Sequence, residues 1–83
     1  MDKILVEIYM PIIARSYDVY IPLMLKIHEV EKLLATAFAE LSDGYISPSS
    51  EPTLCDKESG KPLDINKSAL ELGLMNGSKL MLI

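Results

Sequence analysis

The sequence predicts an α+β fold, in which one mixed sheet of four to five strands carries a single main helix on one face. Three observations predict it. Apolar residues alternate with a period of two over residues 4–9, which is typical of a strand with one buried face. From Ile27 onward the period changes to about 3.6, which indicates a helix. Alternation returns over residues 79–83, so a last strand is expected there.

The first two strands are predicted to pair as a hairpin. Their inward positions are Ile4, Val6 and Ile8 on the first strand, and Val19, Ile21 and Leu23 on the second. Residues 11–16 connect them, and so short a link favours an antiparallel pair. Pro22 has no backbone N–H, so we expect it at the end of its strand or on an outer edge of the sheet.

The helix is predicted from an apolar stripe on one side of its surface, made of Ile27, Val30, Leu34, Ala37, Phe38 and Leu41. Glu29 and Glu31 lie in its first turn, where we expect them to be solvated and to interact favourably with the helix dipole. Gly44 follows the last apolar position and suits a left-handed C-terminal residue.

The remaining elements are shorter. In chain order the sequence predicts a linker-like loop at 47–52, a strand at 53–56, a return strand at 61–63, a helical turn at 68–73, a turn at Asn76–Gly77 and a strand at 79–83. The loop lies inside the domain, and no internal repeat is visible. We therefore treat residues 1–83 as a single domain.

Composition limits the classes of function. The chain has 83 residues, of which 49% are hydrophobic and 24% charged, as in a small globular domain. The net charge is -4 and the basic residues are scattered, so we expect no nucleic-acid partner. No segment approaches the roughly 18 apolar residues of a membrane span. No secretory leader is visible either, so we expect a cytoplasmic protein without direct membrane insertion.

Residues with catalytic potential are few and unconnected. His28 is predicted on the polar side of the helix, where a solvated surface histidine is expected. Cys55 is the one cysteine, so it cannot form an internal disulfide or by itself hold zinc or an iron–sulfur cluster. We expect it to be a small strand residue in or near the core. The sequence therefore predicts no enzyme, no metal site and no cofactor.

The C-terminal segment carries a family resemblance. Residues 72–83 read LGLMNGSKLMLI, which combines an apolar-Gly-apolar step, an Asn-Gly turn and an alternating last strand. With a first strand that starts almost at Met1, and with the spacing from Ile21 to Ile27 and Val30, this pattern resembles ubiquitin and its relatives. It is most similar to the YukD/EsaB group, small ubiquitin-like proteins that accompany type VII secretion systems in Gram-positive bacteria. The resemblance covers nearly the whole chain, more in pattern than in identity.

This resemblance implies a ubiquitin-like β-grasp fold and a cytosolic accessory role, exerted through contacts with components of the secretion machinery. Conjugated modifiers and sulfur carriers of this superfamily end in a flexible Gly-Gly tail, whereas this sequence ends on strand residues at Ile83. We therefore expect an adaptor that is not conjugated through its C-terminus. The alternative is a ubiquitin-like modifier or sulfur carrier whose Gly-Gly tail is absent from this chain.

The predicted binding surface lies on the open face of the sheet, opposite the helix, which is the face that ubiquitin uses to bind partners. If the alternate residues point inward, this face receives Leu5, Tyr9, Tyr20, Met81 and Ile83, with Ile12 and Ile13 of the hairpin turn at its rim. A folded-back turn over the core, or a face covered by a sister subunit in a homodimer, would also account for these apolar residues.

Overall fold

The computed structural model describes residues 2–41 and 51–83, which form four strands and one helix. In chain order these are β1 (Lys3–Met10), β2 (Arg15–Pro22), α1 (Ile27–Leu41), β3 (Leu54–Asp56) and β4 (Lys79–Leu82). The strands lie in the order β2-β1-β4-β3. β1 is antiparallel to β2 and parallel to β4, and β3 is antiparallel to β4. The predicted mixed sheet with one helix is confirmed.

The hairpin pairs over its whole length. Its register runs without a break from Lys3 opposite Pro22 to Met10 opposite Arg15, so both strands are longer than predicted and the turn is confined to residues 11–14. Ala14 closes the turn with a φ of 52°. As expected, Pro22 is the last residue of a strand that forms an edge of the sheet.

The helix packs with a slightly different side toward the sheet than predicted. Ile27, Val30, Leu34 and Phe38 are buried, but the prediction for Ala37 was wrong, since Ala37 is exposed and Ala35 is buried instead. On this side of the helix Glu31, one turn before Ala35, accepts a hydrogen bond from the backbone N–H of Leu54 (2.8 Å) at the start of β3. The described part of the chain does not include Gly44 or the linker residues 47–50, nor the side chain of Leu41.

One apolar core fills the space between helix and sheet. Its largest fully buried side chains are Phe38, Ile8, Met10, Ile21, Ile27, Leu54, Leu80, Leu82, Val6 and Val30. Val19, predicted to face inward, is only partly buried because β2 is an edge strand. Tyr17 closes the core on this side, with its ring centroid 5.6 Å from that of Phe38.

The segment between β3 and β4 is held mainly by backbone hydrogen bonds. The predicted return strand at 61–63 is reduced to one bridge, in which Pro62 lies opposite Cys55. Residues 69–73 form turns, and they begin with a reciprocal cap. Ser68 N donates to Glu71 Oε1 (3.0 Å), and Glu71 N donates to Ser68 Oγ (3.2 Å). Such a capping box satisfies two backbone donors at once.

Two neighbouring leucines of α1 test the position of the core. Leu34 is 4% exposed and Leu33 is 52% exposed. Leu34→Ala should lower the free energy of unfolding by about 2–5 kcal/mol, because it leaves a cavity in the core. Leu33→Ala, the matched control, should change it by no more than about 0.5 kcal/mol. Urea denaturation of both variants measures the two changes in the free energy of unfolding. Equal losses of stability would contradict the burial of Leu34 in the core.

The capping box predicts a dependence of stability on pH. The backbone hydrogen bond from Ser68 lowers the pKa of Glu71 below its ordinary value of 4.5. A carboxylate with a lowered folded-state pKa contributes stability above its unfolded pKa, and this contribution is lost as the pH falls through the folded pKa. Between about pH 6 and pH 3, the urea midpoint of the native chain should therefore fall further than that of Glu71→Gln, which cannot titrate. If the urea midpoints of the native chain and of Glu71→Gln fell by the same amount, the contribution of the Glu71 carboxylate to stability would be refuted.

Candidate protein-binding site

The open face is the side of the sheet that points away from α1. The strand register arranges its side chains in three rows that cross the strands. In the first row Leu5 of β1 lies beside Tyr20 of β2. Tyr20 is 67% exposed, and Leu5 is partly buried. The first row is therefore apolar and open to solvent.

The second row is charged. It contains Asp18, Glu7 and Lys79 on neighbouring strands, and Lys57 joins them from the residue after β3. The Lys57 ammonium lies 3.7 Å from Glu7 Oε2 and 5.0 Å from the centroid of the Tyr9 ring. This ion pair is exposed, so its contribution to stability is small. Its position is the more informative property, because it lies across the middle of the predicted binding surface.

The third row begins on β2 with the exposed Ser16, opposite Tyr9, and is apolar from Tyr9 onward. Tyr9 lies beside Met81, and Met81 lies beside Cys55 of β3. Ile83 follows on the same side of β4 and exchanges two backbone hydrogen bonds with Thr53. Ile83 is 61% exposed, whereas Tyr9 and Met81 are partly buried. Three of the five residues predicted on the open face, Tyr9, Met81 and Ile83, therefore lie in the third row or next to it.

The predicted binding residues are therefore on one face but not in one patch. The charged row separates Leu5 and Tyr20 from Tyr9, Met81 and Ile83. Sequence reasoning missed this row. Glu7 could have been found, since it falls between Leu5 and Tyr9 in the same alternation. Lys57 could not have been found, because the turn that follows β3 decides where its side chain lies.

The two isoleucines of the hairpin turn separate. Ile13 packs against the core as a partly buried residue, so this half of the turn does fold back. Ile12 is 59% exposed and remains an apolar side chain at the end of the sheet.

Cys55 is fully buried on the third row, as expected for a strand residue in or near the core. Burial raises the pKa of its thiol, and the nearby Glu31 carboxylate raises it further. A thiol that is shielded and protonated is a poor nucleophile. The position that lies next to Met81 on this face is therefore occupied by an inert side chain.

His28 lies away from the open face. With Glu31, Thr53 and Ile65 it lines a surface cavity of about 370 Å³. His28 is partly buried, not fully solvated as expected. Within residues 2–41 and 51–83 no group of three or more His, Cys, Asp or Glu side chains could hold a metal ion. In the same part of the chain, no helix has the length and apolar character needed to cross a membrane.

Comparison with known proteins supports the fold assignment. No protein-family model matches the chain, and no curated protein matches it. Among solved structures, it is similar to the ubiquitin-like domain of the Mycobacterium tuberculosis type VII secretion system protein ECCD1. The two share 17% identity with a TM-score of 0.79, over 100% of this chain and 99% of that one.

Two further structures are similar. The EccD5 ubiquitin-like domain from Mycobacterium xenopi is 20% identical with a TM-score of 0.79, over 100% of this chain and 94% of that one. A chain of the MycP5-free ESX-5 inner membrane complex is 16% identical with a TM-score of 0.78, over 98% of this chain and 20% of that one. At these identities the likeness establishes the fold. The protein has a ubiquitin-like β-grasp fold, as predicted, while the resemblance to the YukD/EsaB group stays a prediction.

The burial of Cys55 predicts slow chemical modification. Iodoacetamide should alkylate Cys55 in the folded chain at least about tenfold more slowly than in urea, because the thiol must first become accessible and ionised. Thr36→Cys combined with Cys55→Ala provides the control, since Thr36 is exposed on α1. That control should react at similar rates with and without urea. Equally fast alkylation of native Cys55 would contradict its burial.

Proposed function

We propose that this chain is a non-enzymatic ubiquitin-like adaptor or accessory factor of a bacterial type VII secretion system, and that it binds a protein partner through the open sheet face. The observation that carries the proposal is the third row. Tyr9, Met81 and Ile83 lie together on the open face, where Ile83 is exposed and Tyr9 and Met81 are partly exposed. Apolar and aromatic side chains grouped on an exposed sheet face are typical of a protein-binding surface.

The charged row adds specificity to this surface. Glu7 and Lys57 form an ion pair beside Tyr9, so a partner that covers the third row must also face one charge of each sign. Charges next to an apolar contact area exclude partners that present the same charges there. A partner with its own pair of opposite charges around an apolar centre fits this face.

The assignment to secretion draws support from the solved neighbours. ECCD1 is named as a protein of the type VII secretion system, and the similar chain in the ESX-5 structure belongs to an inner membrane complex. We propose by analogy that the partner of this chain is a component of such machinery, and that the chain acts on the cytoplasmic side. The role of a non-conjugated adaptor rests on the binding face and involves no catalytic group.

The proposed function is tested by recovering partners from the native host. Tagged chain should recover type VII secretion components without a covalent bond, as identified by mass spectrometry. Recovery of covalent adducts through the C-terminus, or of sulfur-transfer enzymes in place of secretion components, would contradict the adaptor and favour the modifier or sulfur carrier.

The open face itself is tested by a double variant. Met81→Asp combined with Ile83→Asp should abolish recovery of the partner, because two carboxylates would be desolvated in an apolar interface. Both side chains point outward, so thermal unfolding should stay cooperative. Leu33→Asp combined with Thr36→Asp, at two exposed positions of α1, adds the same charge on the opposite side and should bind normally. Normal binding by the folded Met81 and Ile83 variant would refute the surface.

A further inference from the structure

The outer edge of β2 carries backbone groups that no described residue pairs with. Leu5 lies opposite Tyr20, yet its N–H donates to Asn76 Oδ1 (2.8 Å) and its carbonyl accepts from Gly77 N (2.8 Å). Both backbone groups of Leu5 therefore point toward β4 and away from β2. The backbone N–H and carbonyl of Tyr20 therefore point away from β1, toward solvent.

The same orientation recurs along the strand. In an antiparallel pair every second residue faces the neighbouring strand, so Ser16 and Asp18 share the outward orientation of Tyr20. All three are exposed. Together they present a row of outward donors and acceptors spaced for pairing with another strand.

Among the described residues nothing shortens, interrupts or covers this edge, and its protection is limited to the exposed charges of Arg15 and Asp18 and to Pro22 at its end. Soluble proteins shorten, bulge or cover the edges of their sheets, because free edges pair with other chains. The opposite edge follows that rule, since β3 has only three residues and is covered by the bridge to Pro62. β2 has eight residues in an unbroken register, with Pro22 at its end.

We propose that the outer edge of β2 is a homodimer interface, at which a second copy of this chain adds its own β2 in antiparallel orientation. The two-fold axis passes beside Val19. The inference goes beyond the proposed function, because it concerns the edge of the sheet and leaves the third row uncovered. The partner is identified as a second copy because an antiparallel copy centred on Val19 pairs Tyr20 with Asp18 and opposes no like charges, whereas an axis on Tyr20 would pair Asp18 with Pro22, which has no N–H.

That register places Val19 opposite the partner's Val19. Tyr20 and the partner's Asp18 then exchange both of their outward backbone hydrogen bonds, and the two-fold axis repeats the exchange on the other side of Val19. Centring the axis on Asp18 would place like charges directly opposite each other, which is destabilising. Moving the axis toward Ser16 would pair Tyr20 with Ala14, which lies outside the strand at a φ of 52°.

The side chains support the same register. Val19 and Tyr17 are partly buried at the edge of the core, and the second copy would cover the exposed side of Val19 with its own Val19. On the open face the Tyr20 phenol would lie beside the partner's Asp18 carboxylate and donate a hydrogen bond to it.

Sedimentation velocity over a range of concentrations tests the interface with Asp18→Pro. Proline removes an outward N–H that has no partner within the sheet, so the fold should be retained. The native chain and the Asp18→Asn control, which keeps the N–H, should form dimers, and Asp18→Pro should remain a monomer. A native chain that stays monomeric at millimolar concentration, or an Asp18→Pro variant that dimerises as well as its control, would overturn the proposal.

A disulfide tests the register without disturbing the edge. Val19→Cys combined with Cys55→Ala should cross-link on mild oxidation, because side chains directly opposite each other lie within disulfide range. Tyr17→Cys combined with Cys55→Ala should not, since the same register separates the two copies of position 17 along the strands. Cross-linking of Tyr17→Cys but not Val19→Cys would overturn the register.

Discussion

The register of β1 against β4 decides which side chains reach the core and which reach the open face. It is set beside Leu5, whose backbone is bonded to Asn76 Oδ1 and to Gly77 N, and the next bond joins Glu7 N to Ser78 O (2.9 Å). Gly77 has a φ of 88°, a conformation that other residues rarely adopt. A slip by one residue would exchange the two faces of the strand and turn Glu7 into the core.

The rest of the structure follows from that register. With Ile4, Val6 and Ile8 turned inward, α1 finds an apolar surface to cover, and Glu31 then holds β3 at the far edge through Leu54. The same alternation turns Tyr9 and Met81 outward beside each other. The β1–β4 register therefore determines both the core that stabilises the domain and the face proposed to bind a partner, and alternate residues of the strands form the two.

Sequence patterns predicted what depends on local periodicity. The inward residues of β1 and β4 and most of the helix stripe were predicted, because period two and period 3.6 leave direct traces in the sequence. Ala37 was misplaced because its burial depends on how the helix is rotated against the sheet, which is a tertiary effect. The open-face residues were placed on the correct side of the sheet, but the charged row was missed. The reach of Lys57 over Tyr9 depends on the turn after β3, and no periodicity encodes it.

Binding through the open face is tested most directly by a chemical-shift map of the isotope-labelled chain, recorded by NMR as the recovered secretion component is added. We expect the largest shifts on Tyr9, Met81 and Ile83 and smaller ones on Glu7 and Lys57, while Leu33 on the outer side of α1 stays unchanged. Shifts concentrated on α1, with the third row unchanged, would contradict the claim that the open face is the binding surface.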